Sequence, residues 1–200
     1  MAKVCEYLYE AGSLIGDKAM LEILKLHEDL HENNTQIELS VSQRDRLKRY
    51  INALNIALST IATQYLHLYN LTSCVSNSDA KIDYPLIGEN LYEIIKVKES
   101  ATNKVVDFFA LPFSLYLPKK NTKYDILYSF LPKRLKSLDE EVESFSEVPL
   151  RVVSLLMASD LSLASMLYDE SKILADKFEK EMSRIIGFRL RKKLPVAPLI

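Results

Sequence analysis

The chain has 200 residues, a formal net charge of −1, 48% hydrophobic and 26% charged residues, enough for one domain with a substantial core. So even a balance excludes a global attraction to nucleic acid or anionic membrane, and two cysteines exclude a disulfide framework or a four-cysteine zinc site. Glycine is scarce, at 4 residues, whereas leucine reaches 32, a balance that favours helix and leaves little material for phosphate-cradling loops.

Residues 1–20 carry Lys3, Glu6, Glu10, Asp17 and Lys18, so no signal-peptide core is expected there. No uncharged apolar run approaches the length of about 18 residues that spans a bilayer. Lone, dispersed Cys5 and Cys74 fit a reducing compartment. The expectation is a soluble intracellular protein, cytoplasmic or nuclear, without membrane contact.

Residues 3–11 predict a short helix closed by the Gly12/Gly16 pair. Asp17 reads as the N-cap of a helix reaching about residue 32, with Leu21, Leu24 and Leu30 on one side and Asn33 and Asn34 stopping it. That helix contains His27-Glu28-Asp29-Leu30-His31, an H-E-x-x-H pattern. Histidines at i and i+4 share a face and can hold zinc while the glutamate activates a water. A zincin also needs a third ligand, and Asn34 and Ile37 stand where the metzincin Gly and His belong. The remaining histidine, His67, falls on the stripe of the next helix. The pair is expected to be a solvated helix end, with neither metal nor cofactor.

Ser42 can cap the next helix. Leu47, Ile51, Leu54, Leu58, Ile61, Tyr65 and Leu68 follow at alternating spacings of four and three, a heptad seam that docks on one helix along its length. These seven are the candidate partner-binding residues, facing the C-terminal half or a partner subunit. Arg44, Arg46, Lys48 and Arg49 lie on its outer faces.

Residues 72–88 (TSCVSNSDAKIDYPLIG) read as a linker. The expected organisation is an N-terminal helical region at 1–75, a linker at 76–90, and a small hairpin with a helical domain at 91–200. Phe109, Leu111, Phe113, Leu115 and Leu117 alternate with Ala110, Pro112, Ser114 and Tyr116, a strand period. Pro112 confines such a strand to an edge or a bulge. Residues 91–98 can pair with it across a Ser100–Lys104 turn, although a helix over 89–109 fits as well. Residues 102–109 also carry half of a sliding-clamp-binding pattern, without its leading Gln. Residues 123–143 predict a helix interrupted by Pro132, Pro149 opens another, and residues 161–192 predict a long terminal helix. Its inward face would carry Leu163, Leu167, Leu174, Phe178, Ile185 and Phe188. The fold class expected is mainly α, a helical bundle with a small β-hairpin near 91–117.

No P-loop, G-x-G-x-x-G or G-x-S-x-G occurs, and no nucleophile–base set is apparent, so no enzyme is expected. Phosphate contact needs only convergent cations. Arg44, Arg46, Arg49, Arg189, Arg191, Lys192 and Lys193 are the candidates, with Lys119, Lys120 and Lys123 as a further set.

From about residue 109 the order of features resembles one branch of the GINS replication-factor family. FALPFSLYLPKK is similar to that family's V-P-L-W-L-A segment. RLKSLDEEVESFSEVPLRVVSLLMASD is similar to its acidic helix, F-S-x-L-P turn and following helix. EMSRIIGFRLRKKL is similar to the terminal helix with its I-R-x-x-K signature. The tryptophan is absent here, and residues 1–75 read as helical where that branch begins with a β-rich domain. The resemblance implies a non-catalytic scaffold or adaptor subunit of a hetero- or homo-oligomer that bridges a replicative helicase to its partners. The alternative is a helical nucleic-acid-binding subunit of an RNA-guided or viral complex.

Overall fold

A computed structural model describes residues 2–33, 39–142, 145 and 147–193, with the backbone alone at 29–33 and 188–193. Three helices open the chain: α1 (Val4–Ile15), α2 (Lys18–Asn33) and α3 (Val41–Thr60). A π-helical turn (Ile61–Tyr65) leads to β1 (Leu68–Val75), β2 (Lys81–Asp83), α4 (Tyr84–Ile87) and β3 (Leu91–Glu99). There follow β4 (Phe109–Ala110), β5 (Ser114–Tyr116), β6 (Lys123–Phe130), α5 (Leu150–Ala164) and α6 (Tyr168–Lys193). With 50% helix and 21% strand in two three-stranded antiparallel sheets, the fold is mixed α/β. The expectation of a mainly α, all-helical bundle is overturned.

The chain forms two compact units, Met1–Thr60 with Arg134–Ile200, and Ile61–Lys133. This differs from the division at 1–75, 76–90 and 91–200. Residues 68–75 are strand, and the expected linker contains β2 and α4.

In the helical unit, α5 packs against α1, α3 and α6. Ile51, Leu54 and Leu58 of the heptad seam are buried there. The start of α1 is tied down by the chain near residue 140: the Val4 and Cys5 amides donate to the carbonyls of Glu140 and Leu138 at 3.0 and 3.1 Å, satisfying donors that a helix start leaves open. Gly12 lies inside α1, beside Leu21, and Gly16 ends that helix in the left-handed region at φ 69°. The predicted terminal helix is two helices, because the chain breaks at Ser165–Leu167, where Met166 takes φ 62°. Leu174 and Phe178 face inward, whereas Leu163 and Leu167 are exposed. Phe188 lies outside the described side chains.

Asp17 is the polar anchor of this unit. Its Oδ1 accepts the Met20 amide at 3.2 Å and caps α2, and its carboxylate takes Arg46 Nη1 at 2.6 and 2.7 Å and the Tyr50 hydroxyl at 2.8 Å. Burial alone would raise its pKa; the hydrogen bonds from Tyr50, Met20 and Arg46 and the Arg46 charge outweigh it and hold the carboxyl below the usual range. Burial and the adjacent Asp17 push the Tyr50 phenol far above its ordinary value.

The β unit contains two sheets, ordered β1–β6–β3 and β2–β5–β4. Tyr124, Ile126 and Tyr128 of β6 are buried in the core and half-buried Phe130 packs against it, alternating with Lys123, Asp125, Leu127 and Ser129, the last of which is buried as well. This is a period of two, rich in aromatic side chains, and it overturns the helix expected over 123–143. Ile82, Val97, Leu115 and Leu117 complete the core. β3 pairs with β6, and the 100–105 turn folds back on its end through the Lys98–Val105 bridge and the Glu99 amide, which donates to the Lys104 carbonyl at 2.9 Å.

Two outcomes are expected. Leu54, 0% exposed, changed to Asp buries an unpaired charge, so unfolding free energy in urea falls by about 3–5 kcal/mol, while Arg44→Ala stays within about 0.5 kcal/mol. A carboxylate with a depressed folded pKa stabilises fully above its unfolded value of about 4 and loses this as pH falls through the folded value. Asp17→Asn preserves the cap, Asn being as good there as Asp, but should cost about 1–2 kcal/mol near neutral pH. Urea melts down to pH of about 2 should show a shallower acid loss than in the parent chain.

Candidate functional site

The β unit places its most exposed apolar side chains on the β4–β5 hairpin. Phe109 pairs with Tyr116 and Ala110 with Leu115, so the chain reverses over Leu111–Phe113. Pro112, which has no amide to give, sits where the ladder needs none. The Leu111 amide donates to the Ser114 carbonyl at 2.9 Å and closes the turn. Tyr84, at the start of α4, latches the tip: its amide donates to the Phe113 carbonyl at 3.2 Å, and its hydroxyl to the Leu111 carbonyl at 2.7 Å.

Leu115 and Leu117 fix the inner strand among Ile82, Tyr124 and Ile126. The reversal then leaves Phe109 69% and Phe113 83% exposed, with Leu111 and Tyr116 also exposed. Burying such a side chain is worth about 1.5–3 kcal/mol. An ordered tip that forgoes this gain on neighbouring residues has the character of a docking surface, with the aromatic anchors that dominate interface energetics. Phe109, Tyr116 and Lys81 form one row across the small sheet. A second apolar strip, Tyr69, Leu71 and Val75, lies on the outward side of edge strand β1.

Glu99 and Asp125 of this unit are engaged in local bonds. Lys119 Nζ lies 2.8 Å from Glu99 Oε1; hydrogen bonds from Lys119 and Thr102 hold the Glu99 carboxyl below its usual range. Asp125 accepts the Ser73 and Ser100 hydroxyls at 2.5 and 2.9 Å, which lowers its pKa similarly.

The sequence-predicted residues fall into separate places. Of the proposed seam, Leu47 is half-buried and Ile51, Leu54 and Leu58 are core of the helical unit, where α3 meets α5. Beyond Thr60 the α-helix ends. Ile61 and Tyr65 belong to the π-helical turn, and Leu68 begins β1. Seven residues therefore do not make one helical seam. Arg44 and Arg49 are exposed on α3, whereas Arg46 is bonded to Asp17. The side chains of Arg189, Arg191, Lys192 and Lys193 lie outside the described residues. His27 Nε2 sits 3.7 Å from Asp139 Oδ2, and the His31 side chain lies outside the described residues. His67 is exposed between the π-helical turn and β1, not on a helix stripe. Among the described residues no three His, Cys, Asp or Glu side chains are grouped to hold a metal, and no helix is long and apolar enough to cross a membrane. The Phe109–Phe113 tip was visible in the sequence only as a strand period. Its one further signal was Pro112 at the centre of the run.

No protein-family model and no curated protein matches this chain.

Tyr84→Phe removes one latch to the tip and should leave the core intact. Hydrogen exchange at the Leu111 amide should then quicken by roughly two- to tenfold, the equivalent of about 0.5–1.5 kcal/mol. Exchange at Ile126 should remain as in the parent chain.

Proposed function

We propose that this chain is a non-catalytic adaptor subunit of a multiprotein assembly, docking through Phe109, Leu111 and Phe113. The observation that carries the reading is the latched, apolar hairpin tip: rigid support lowers the ordering cost of binding, and exposed aromatic rings supply the anchors. The non-catalytic part draws support from the polar clusters at Asp17, Glu99 and Asp125, each of which joins elements of its own unit. The free thiols of Cys5 and Cys74, both raised in pKa chiefly by burial, suit the reducing intracellular setting that goes with this role.

A narrower form, a subunit of a GINS-like replication factor, is supported by the three resembling segments. They cover β4–β5, α5 as far as Asp160 and the second half of α6, whereas residues 134–142, where the family's acidic helix would lie, form no helix. The nucleic-acid-binding alternative has less behind it, since Arg46 and Lys119 are engaged with Asp17 and Glu99.

A photoreactive benzoylphenylalanine in place of Phe113 tests the adaptor reading in cells. Discrete protein adducts are expected at position 113 and none with the same group at Lys104, which is exposed on the 100–105 turn. Adducts to nucleic acid, or equal labelling at both positions, would count against docking by the tip.

A further inference from the structure

The helical unit carries an apolar pocket of about 200 Å³ where the end of α1, the α5–α6 turn and the start of α6 meet. Leu14, Ile15, Leu167, Ile173 and Leu174 line it around Ser162. Ser162 is 1% exposed, and its hydroxyl is the one buried side-chain polar atom without a hydrogen-bond partner among the described residues. Leaving a buried hydroxyl unpartnered is costly and calls for an explanation. Leu163, Met166 and Tyr168 are exposed on the same turn.

We propose that this pocket receives the Phe113 side chain from a second copy of the chain. The inference rests on the reading of the hairpin tip as a docking element. Size supports the pairing: a cavity of about 150 Å³ accepts benzene, whereas sites for whole small molecules run to about 300–1,000 Å³. Among the described residues the exposed phenylalanines are Phe109 and Phe113, both on the hairpin. Charge supports it too. The pocket's polar rim has one residue of each sign, Glu170 and Lys177. Strand β2, next to the hairpin, also has one of each, Lys81 and Asp83. None of these four has an ion-pair partner among the described residues. Lys81 against Glu170 and Asp83 against Lys177 gives two opposite-sign pairs. Tip and pocket are different surfaces, so copies join head to tail and build rings or filaments.

Light scattering on the full chain, alone and as variants, tests this. The parent chain should grow in mass with concentration, while Phe113→Asp and Ile173→Asp should each remain monomeric with unchanged circular dichroism. Ile173 is 54% exposed, so neither change disturbs the core. Mixing the two variants should restore a heterodimer that grows no further, because one intact tip and one intact pocket remain. A monomeric parent chain, a variant that associates like the parent, or a mixture without heterodimer would each overturn the inference. The adaptor reading fails separately, if cross-linking at position 113 finds no protein at all.

Discussion

The reversal of the chain at Pro112 is the constraint on which the functional surface depends. Before it, alternation would send Phe109, Leu111, Phe113, Leu115 and Leu117 to one face. The turn divides them. Leu115 and Leu117 go to the core with Ile82, Tyr124 and Ile126, and their burial anchors β5 between β2 and β4. Phe109 and Phe113 are carried outward by the same geometry, and the Tyr84 latch on both sides of Pro112 holds them there. Exposure of the rings thus follows from how the neighbouring leucines are buried.

The helical unit is organised around α5. Small side chains let its neighbours come close and bond to it: Ser154 Oγ donates to the Tyr7 carbonyl at 3.2 Å, and Ser159 Oγ to the Ser171 carbonyl at 2.9 Å. Ser162, the third buried serine of α5, has no such acceptor among the described residues. The apolar pocket lies beside this hydroxyl. Asp17 fixes α2 to α3 from the other side through Arg46 and Tyr50.

Much of the helical unit was legible from residue patterns. Asp17 caps α2 as its position implied, Pro149 directly precedes α5, and the i, i+3, i+4 spacing of Ile51, Leu54 and Leu58 marks a buried face. The β unit was harder to read. The heptad spacing carried the expected helix on to Leu68 and residues 123–143 also read as helix, although Tyr124, Ile126, Tyr128 and Phe130 alternate with Lys123, Asp125, Leu127 and Ser129. Pairing between β1 and β6 brings residues 68–75 against 123–130, a long-range choice that local propensity does not encode. The exposed tip was illegible for a related reason: a period of two is the same for a straight strand and for two short strands around a turn. The engagement of Arg46 with Asp17, 29 positions apart, likewise depends on how α2 and α3 pack.

The most direct measurement of this account is the reactivity of single thiols on either side of the turn. With Cys5 and Cys74 replaced by serine, Phe113→Cys and Leu115→Cys would each be alkylated in the folded chain under dilute conditions. The account predicts that the thiol at position 113 reacts nearly as fast as in an unfolded peptide, while that at 115 is protected until the chain unfolds. Equal protection at both positions, or equal reactivity, would contradict it.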